Sequence, residues 1–296
     1  MKSIPFSGAA TALITPMNPD KSLNLSAFRL LVEEQVSHGI DALVVAGTTG
    51  ESATLAPREY ADLLSTAVDA AEGRVPIIAG AGSNDTAHSL EMIYIAQDIG
   101  ADALLLVTPY YNKTTQLGLI RHFNTLADRS KLPVILYNVP SRTGVSFTAE
   151  TYQLLSQHPN INGVKEASGN FSLLSHTRAL CGDDFHIWSG NDDQVVPMMS
   201  LGAKGVVSVA ANLVPEVMVQ MSHLCLEGRF REAAALQIEY TDLIDALFLE
   251  VNPIPIKTAL NLAGYEVGSL RLPLCAMSDG HLETLRRAME SAHLLQ

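Results

Sequence analysis

Short runs of Val, Ile, Leu and Ala recur along the chain without polar alternation, and longer stretches of helical periodicity separate them. Runs of this kind read as strands buried on both faces, as in parallel sheets covered by helices. They fall at 11–15, 42–46, 76–79, 103–108, 133–138, 161–166, 186–189 and 205–209. Helix starts are marked by Asn24 or Ser26 before AFRLLVEEQV, by Pro57 at a first turn, by Asp85 before TAHSLEMIYIAQ and by Thr148 before AETYQLLSQ. Eight strand-then-helix units predict an α/β fold, a closed (β/α)8 TIM barrel. The alternative is an open doubly wound sheet. It lacks its dinucleotide fingerprint, since Gly80 and Gly82 follow a strand without a third glycine. After about residue 213 the strand signal stops. PEVMVQMSHLCLEG can close the eighth unit, so residues 1–226 are expected to form the barrel that carries the active site. Residues 227–296 are expected to form a C-terminal helical extension, packed on the barrel because no Pro, Gly or Ser-rich linker sets it apart.

Composition narrows the function. Hydrophobic residues make up 47% of 296 and the formal net charge is −12. A surface of that sign repels phosphate backbones and anionic lipid, so neither nucleic acid nor membrane is an expected partner. An anionic substrate would need cations concentrated where it binds. The opening MKSIPFSG reaches a proline before any apolar stretch, and the longest apolar run, 103–107, falls far short of the ~20 residues of a membrane span. Cys181, Cys225 and Cys275 form no CxxC pair, which suits a reducing, cytoplasmic location.

Catalytic groups of such barrels stand at the C-terminal ends of strands and in the loops that follow. Among the lysines, Lys2, Lys21, Lys113, Lys131, Lys204 and Lys257 fall in terminal, loop or tail segments. Lys165 instead falls late in the strand INGVKEAS, sharing a face with Gly163 and Ala167, whose small size is expected to leave room for a substrate skeleton. Apolar surroundings disfavour an ammonium and make neutral amine available to attack a carbonyl. The bland reading is an ion pair with Glu166, which should point to the opposite face. LYNVPSRTG brings Tyr137 and Arg142 to the same rim, as a proton carrier and a carboxylate fork or as a packed aromatic and a solvated cation. In AGTTGESATL, Thr48 and Thr49 sit between glycines, in a loop that could cradle an anion. The neighbours Tyr110 and Tyr111 cannot both face one way.

Six motifs in order, GTTGES (47–52), TPYYNK (108–113), YNVPSRTG (137–144), GVKEASG (163–169), SGND (189–192) and NPIPIKTAL (252–260), resemble the dihydrodipicolinate synthase family. That family lies within the pyruvate-dependent N-acetylneuraminate lyase superfamily, and the likeness runs over nearly the whole chain. The resemblance implies that Lys165 forms a Schiff base with pyruvate, with no metal and no separate cofactor. The resulting enamine would condense with aspartate 4-semialdehyde on the lysine and diaminopimelate route. It further implies that Tyr137 relays protons through Thr48 to Tyr111 of a neighbouring subunit, in a homotetramer built as a dimer of dimers. Thr49 would hold the pyruvate carboxylate, Arg142 that of the semialdehyde, and backbone at Gly190 and Val207 would line the pocket. Feedback-inhibited members carry an acidic residue four positions after the asparagine that follows the third strand. Here Asn84 is followed by His88, and Pro57 and Tyr60 replace polar positions, so an effector site around Asn84, His88 and Tyr110 is expected to answer lysine weakly or not at all.

Two other readings stay open. One is another pyruvate aldolase of the superfamily, of the N-acetylneuraminate lyase or 2-keto-3-deoxygluconate aldolase type; the other is a barrel that only binds a metabolite. A metal-dependent aldolase finds no HxH or HExxH motif among the histidines. For His122, His176 and the other histidines, surface or packing roles are expected.

Overall fold

The computed structural model describes residues 2–295. Eight parallel strands, β1 (Gly8–Ala12), β2 (Ala42–Val45), β3 (Ile77–Gly80), β4 (Ala103–Val107), β5 (Val134–Asn138), β6 (Ile161–Glu166), β7 (His186–Ser189) and β8 (Gly205–Ser208), pair in sequence order, and β8 closes on β1. The fold is a (β/α)8 barrel, not an open sheet. Between strands run α1 (Leu25–Ser37), α2 (Pro57–Ala71), α3 (Thr86–Ile99), α4 (Gln116–Arg129), the short α5 (Pro140–Thr143), α6 (Ala149–Leu155), α7 (Phe171–Cys181) and α8 (Val195–Ser200). Asn24, not Ser26, caps α1 by accepting from the Ala27 amide, while Asp85 and Thr148 cap α3 and α6 in the same way.

Strand limits follow the apolar runs to within a residue except at β1, which lies at Gly8–Ala12 and not at 11–15. Threonine, leucine and isoleucine drew the expectation too far along, since they carry the stronger strand propensity. Closure rewards small residues instead. Gly8 sits at φ +107°, where a Cβ would strike Asp41, and Ala9, Ala10 and Ala12 let β1 approach both neighbours. At Ile14 the backbone leaves the sheet, its amide donating to Asn212 Oδ1 at 3.1 Å.

Two apolar clusters form the core. One lies between strands and helices; the other fills the barrel with Ala10, Ala12 and Ala42 on one side and Ile135, Tyr137 and Trp188 on the other. Small residues opposite large aromatic ones fill the tapering interior. Helix α9 (Pro215–Leu226) packs on β1 and β8, and α10 (Phe230–Glu239), α11 (Thr241–Ala246), α12 (Ile254–Leu262) and α13 (Asp279–Ser291) follow. This tail folds back to the mouth where the strands end. There Asn252, Lys257 and Arg271 bond to the segment between β2 and α2.

Candidate active site

Register places the central residues. Tyr137 on β5, Lys165 on β6 and Trp188 on β7 are aligned across three strands, so their side chains enter the barrel together. The Lys165 Nζ sits over the Tyr137 ring, 4.4 Å from its centroid. The lysine is only 6% exposed. Among the described residues it has no carboxylate within ion-pair distance and no hydrogen-bond acceptor. Glu166, one residue on, faces outward. Its carboxylate accepts from Asn138 Nδ2 at 3.0 Å, from the Tyr152 hydroxyl at 2.8 Å and from the Ser168 amide at 2.8 Å. Burial pushes the Tyr152 hydroxyl far above its usual range and the Glu166 charge adds to this, so it stays a donor. The ion pair of Lys165 with Glu166 does not form.

The space beside Lys165 is not where the small neighbours suggested. A Cβ on Gly163 would lie 2.0 Å from the His186 carbonyl oxygen and 2.9 Å from the Trp188 ring, so β7 already fills that vacancy. Gly163 serves barrel closure, not a substrate. Gly190, at the end of β7, does bear on the lysine: a Cβ there would stand 3.0 Å from Lys165 Cε and 2.7 Å from the Ala167 Cβ. Val207 on β8 belongs to the same inner cluster.

Above the lysine's rim opens a cleft of about 260 Å³, walled by Thr48, Gly82, Tyr110, Val139, Arg142 and Asn252 among others. Thr49 is buried just behind it and accepts from Asn252 Nδ2 at 2.9 Å, while Arg142 Nη2 donates to the Asn252 carbonyl at 3.1 Å. Asn252 thus ties together two residues expected to hold carboxylates. It stands in NPIPIKTAL, a motif that carried no role in the sequence reading. Of the adjacent tyrosines, Tyr110 lines the cleft, whereas Tyr111, at φ +67°, is 91% exposed and points away from it. Within the chain, no hydrogen bond among the described residues joins Thr48 to Tyr137 or Tyr111.

Two further groups escaped the sequence reading. Asp192, 2% exposed, uses one oxygen to accept the amides of Val209 and Ala210 at 3.0 Å each, and its other oxygen has no partner. Burial raises its pKa, against the pull of the Ser208 hydroxyl, those two amides and the charge of Lys165. That carboxylate was already present in SGND. Lys257, dismissed as a tail residue, is 1% exposed. Its Nζ donates to Glu51 Oε1 at 2.8 Å and to the carbonyls of Thr15 and Ser269 at 2.9 Å. Desolvation pulls its pKa down and the Glu51 carboxylate opposes this. Glu51 itself adopts a left-handed conformation, φ +57°, and its second oxygen accepts the Arg271 amide at 2.9 Å. That pair pins the end of the loop carrying Thr48 and Thr49.

Around the expected effector positions, the Asn84 carbonyl accepts from Asn112 Nδ2 at 3.0 Å, and His88 Nδ1 lies 3.2 Å from Glu91 Oε2 on an exposed helix face. Tyr60 departs from the expectation. It is buried on the packing face of α2 with its hydroxyl unpartnered, and burial raises that hydroxyl's pKa.

A buried, acceptor-free lysine beside a tyrosine at the carboxyl end of a barrel strand agrees with the family match, which covers residues 5–292 and is described as the Dihydrodipicolinate synthetase family. This chain belongs to that family. It is 47% identical to the 4-hydroxy-tetrahydrodipicolinate synthase of Thermoanaerobacter sp. (strain X514), with 98% of each chain covered. Among solved structures, the dihydrodipicolinate synthase from Aquifex aeolicus superposes with a TM-score of 0.95 at 41% identity, covering 98% of this chain and 99% of that one. The enzyme from Cyanidioschyzon merolae with lysine bound gives 0.96 at 40%, covering 99% and 100%. The relatives therefore favour the synthase reading over that of a sugar-acid aldolase.

Proposed function

We infer that this protein condenses pyruvate with L-aspartate 4-semialdehyde to 4-hydroxy-tetrahydrodipicolinate, holding pyruvate as a Schiff base on Lys165. The observation that carries the assignment to Lys165 is its burial beside the Tyr137 ring with no acceptor among the described residues. A neutral Nζ attacks the ketone carbon and water leaves. The iminium then draws electrons from the methyl carbon, which loses a proton and becomes an enamine. The enamine adds to the aldehyde, and the amino group of the second substrate attacks the iminium carbon, closing the ring and freeing the lysine. The iminium is the electron sink, so no metal or separate cofactor is required.

Roles follow position. Tyr137, aligned with Lys165, is placed to carry the protons of imine formation and release. Thr49 receives the pyruvate carboxylate, and Gly190 and Val207 keep the wall beside the imine free of bulk. Arg142, on the cleft wall, binds the carboxylate of the incoming aldehyde with two parallel hydrogen bonds. Thr48 lines the same cleft and passes protons on to Tyr111. That tyrosine is exposed in its own chain and would complete the relay in a neighbouring subunit, which makes a homotetramer of two tight dimers the working assembly. No helix among the described residues is long and apolar enough to cross a membrane, and a cytoplasmic setting suits the free cysteines. With His88 where an acidic residue would be expected, lysine in a steady-state assay should inhibit weakly or not at all.

The deciding experiment is borohydride reduction in the presence of pyruvate, followed by peptide mapping. The expected product is a single carboxyethyl adduct on Lys165; an adduct elsewhere, or none with active protein, refutes the assignment.

A further inference from the structure

Asn252 comes from the tail, between α11 and α12, and reaches the cleft with only 6% of its surface exposed. Its side chain donates through Nδ2 to the Thr49 hydroxyl at 2.9 Å, and its backbone carbonyl accepts from Arg142 Nη2 at 3.1 Å. Further along the tail, Lys257 grips Glu51 at 2.8 Å, so the loop after β2 is held on both sides of Gly50. The bond to Glu51 fixes where the loop lies. The bond to Thr49 also fixes which way a hydroxyl points.

A hydroxyl has one proton and two lone pairs, whereas an amide N–H can only donate. The bond from Asn252 Nδ2 therefore occupies a lone pair of Thr49 Oγ1 and leaves the hydroxyl proton for another acceptor. Among the described residues that proton has no acceptor, and the amides of Thr48 and Thr49 donate to no backbone carbonyl. Unclaimed donors gathered in one turn form a cradle for an anion. The orientation of the Asn252 amide follows from its surroundings. Its Oδ1 is buried without a partner, and turning the group over would put the whole NH2 there, exchanging one unpaired acceptor for two unpaired donors.

We propose that Asn252 is a positioning residue for the keto acid: its side-chain amide turns the Thr49 hydroxyl proton toward the pyruvate carboxylate, while its backbone carbonyl steadies Arg142 for the second substrate. The proposal rests on pyruvate binding at Thr49 and on the carboxylate of the aldehyde binding at Arg142. One residue then serves two carboxylates through separable parts. The side chain acts on pyruvate through Thr49, and the carbonyl, which any residue supplies, acts on Arg142. Truncating the side chain should therefore affect the two substrates unequally, which a general loosening of the mouth would not do.

The test is steady-state kinetics of the full-length wild type, Asn252→Ala and Asn252→Asp, with the KM of each substrate and the unfolding midpoint measured. Asn252→Ala should raise the KM of pyruvate about tenfold or more, because a hydrogen bond aimed at a charged group is lost, and leave that of the aldehyde within about twofold. Asn252→Asp keeps the shape but has no N–H and adds a negative charge, so it should bind pyruvate worse than the alanine variant. In a Thr49→Val background Asn252→Ala should add no further loss, since the hydroxyl it orients is gone. Equal rises for both substrates, wild-type pyruvate KM in the aspartate variant, or full additivity with Thr49→Val overturns the proposal. Borohydride trapping over a range of pyruvate concentrations separates this idea from the one beneath it. A wild-type adduct with unchanged half-saturation in Asn252→Ala sinks the role of Asn252 alone, whereas no wild-type adduct sinks the pyruvate reading and this role with it.

Discussion

The protein buries two lysines, and they are opposites. Lys257 in α12 is held by a carboxylate and two carbonyls, so every proton of its ammonium has an acceptor. Lys165 in β6 lies over an aromatic face and, among the described residues, has no hydrogen-bond acceptor. Burial alone therefore does not mark a reactive amine. A fully bonded ammonium has its charge compensated and its position fixed, which makes it a structural pin. One left without acceptors is held by no native hydrogen bond and is free to form a bond to carbon.

The comparison breaks most visibly at Lys165. Lys165→Ala should lower the condensation rate about 10⁴-fold or more in a coupled assay while leaving the thermal midpoint near that of the wild type, because it removes a nucleophile that no native bond depends on. A variant that kept its activity would reverse the roles assigned to the two lysines. Tyr137→Phe should lower kcat by about 10²- to 10⁴-fold, yet still yield a borohydride adduct after long incubation, since it removes a proton carrier and not the amine. Lys257→Met should act on stability instead. It leaves the Glu51 carboxylate buried and uncompensated, at a cost of about 3–5 kcal/mol in urea unfolding. Adding Glu51→Gln to that variant should recover most of the loss; if the double variant is as unstable as the single one, the pair is not what pins the loop.

The smallest effect belongs to the rim of the same region. Arg271 bonds Glu59 at 2.8 Å and holds its carboxyl below the ordinary range, partly against the cost of burial. A depressed carboxylate contributes stability above its unfolded pKa and loses it as pH falls through the folded value. Arg271→Gln should therefore cost about 1 kcal/mol near pH 7, the order expected of a partly exposed pair, and the gap to wild type should close in acid.

Much of this was readable from the chain. Eight unalternated apolar runs sufficed for the barrel, because strands covered on both faces need no polar side. Lys165, Tyr137, Thr48 and Arg142 stood at strand ends and in the following loops, where barrels keep their chemistry. What was missed has a common cause. Asn252 meets Thr49, and Lys257 meets Glu51, across more than two hundred residues of chain. INGVKEAS and NPIPIKTAL each set a lysine among apolar residues, and nothing within either segment tells which lysine finds acceptors. Gly163 misled for the same reason: local spacing suggested a vacancy, and β7 fills it.

The sequence by itself determined the number and order of strands, the caps of α3 and α6, and the family, since each depends on periodicity or on residues close in the chain. Tertiary structure alone decided which buried lysine is bonded and which is bare, that Asn252 joins Thr49 to Arg142, and that Asp192 holds the amides of Val209 and Ala210. Hydrogen bonds and ion pairs of buried groups depend on what the closed barrel and its returning tail bring within about 3 Å, and that distance has no counterpart along the chain.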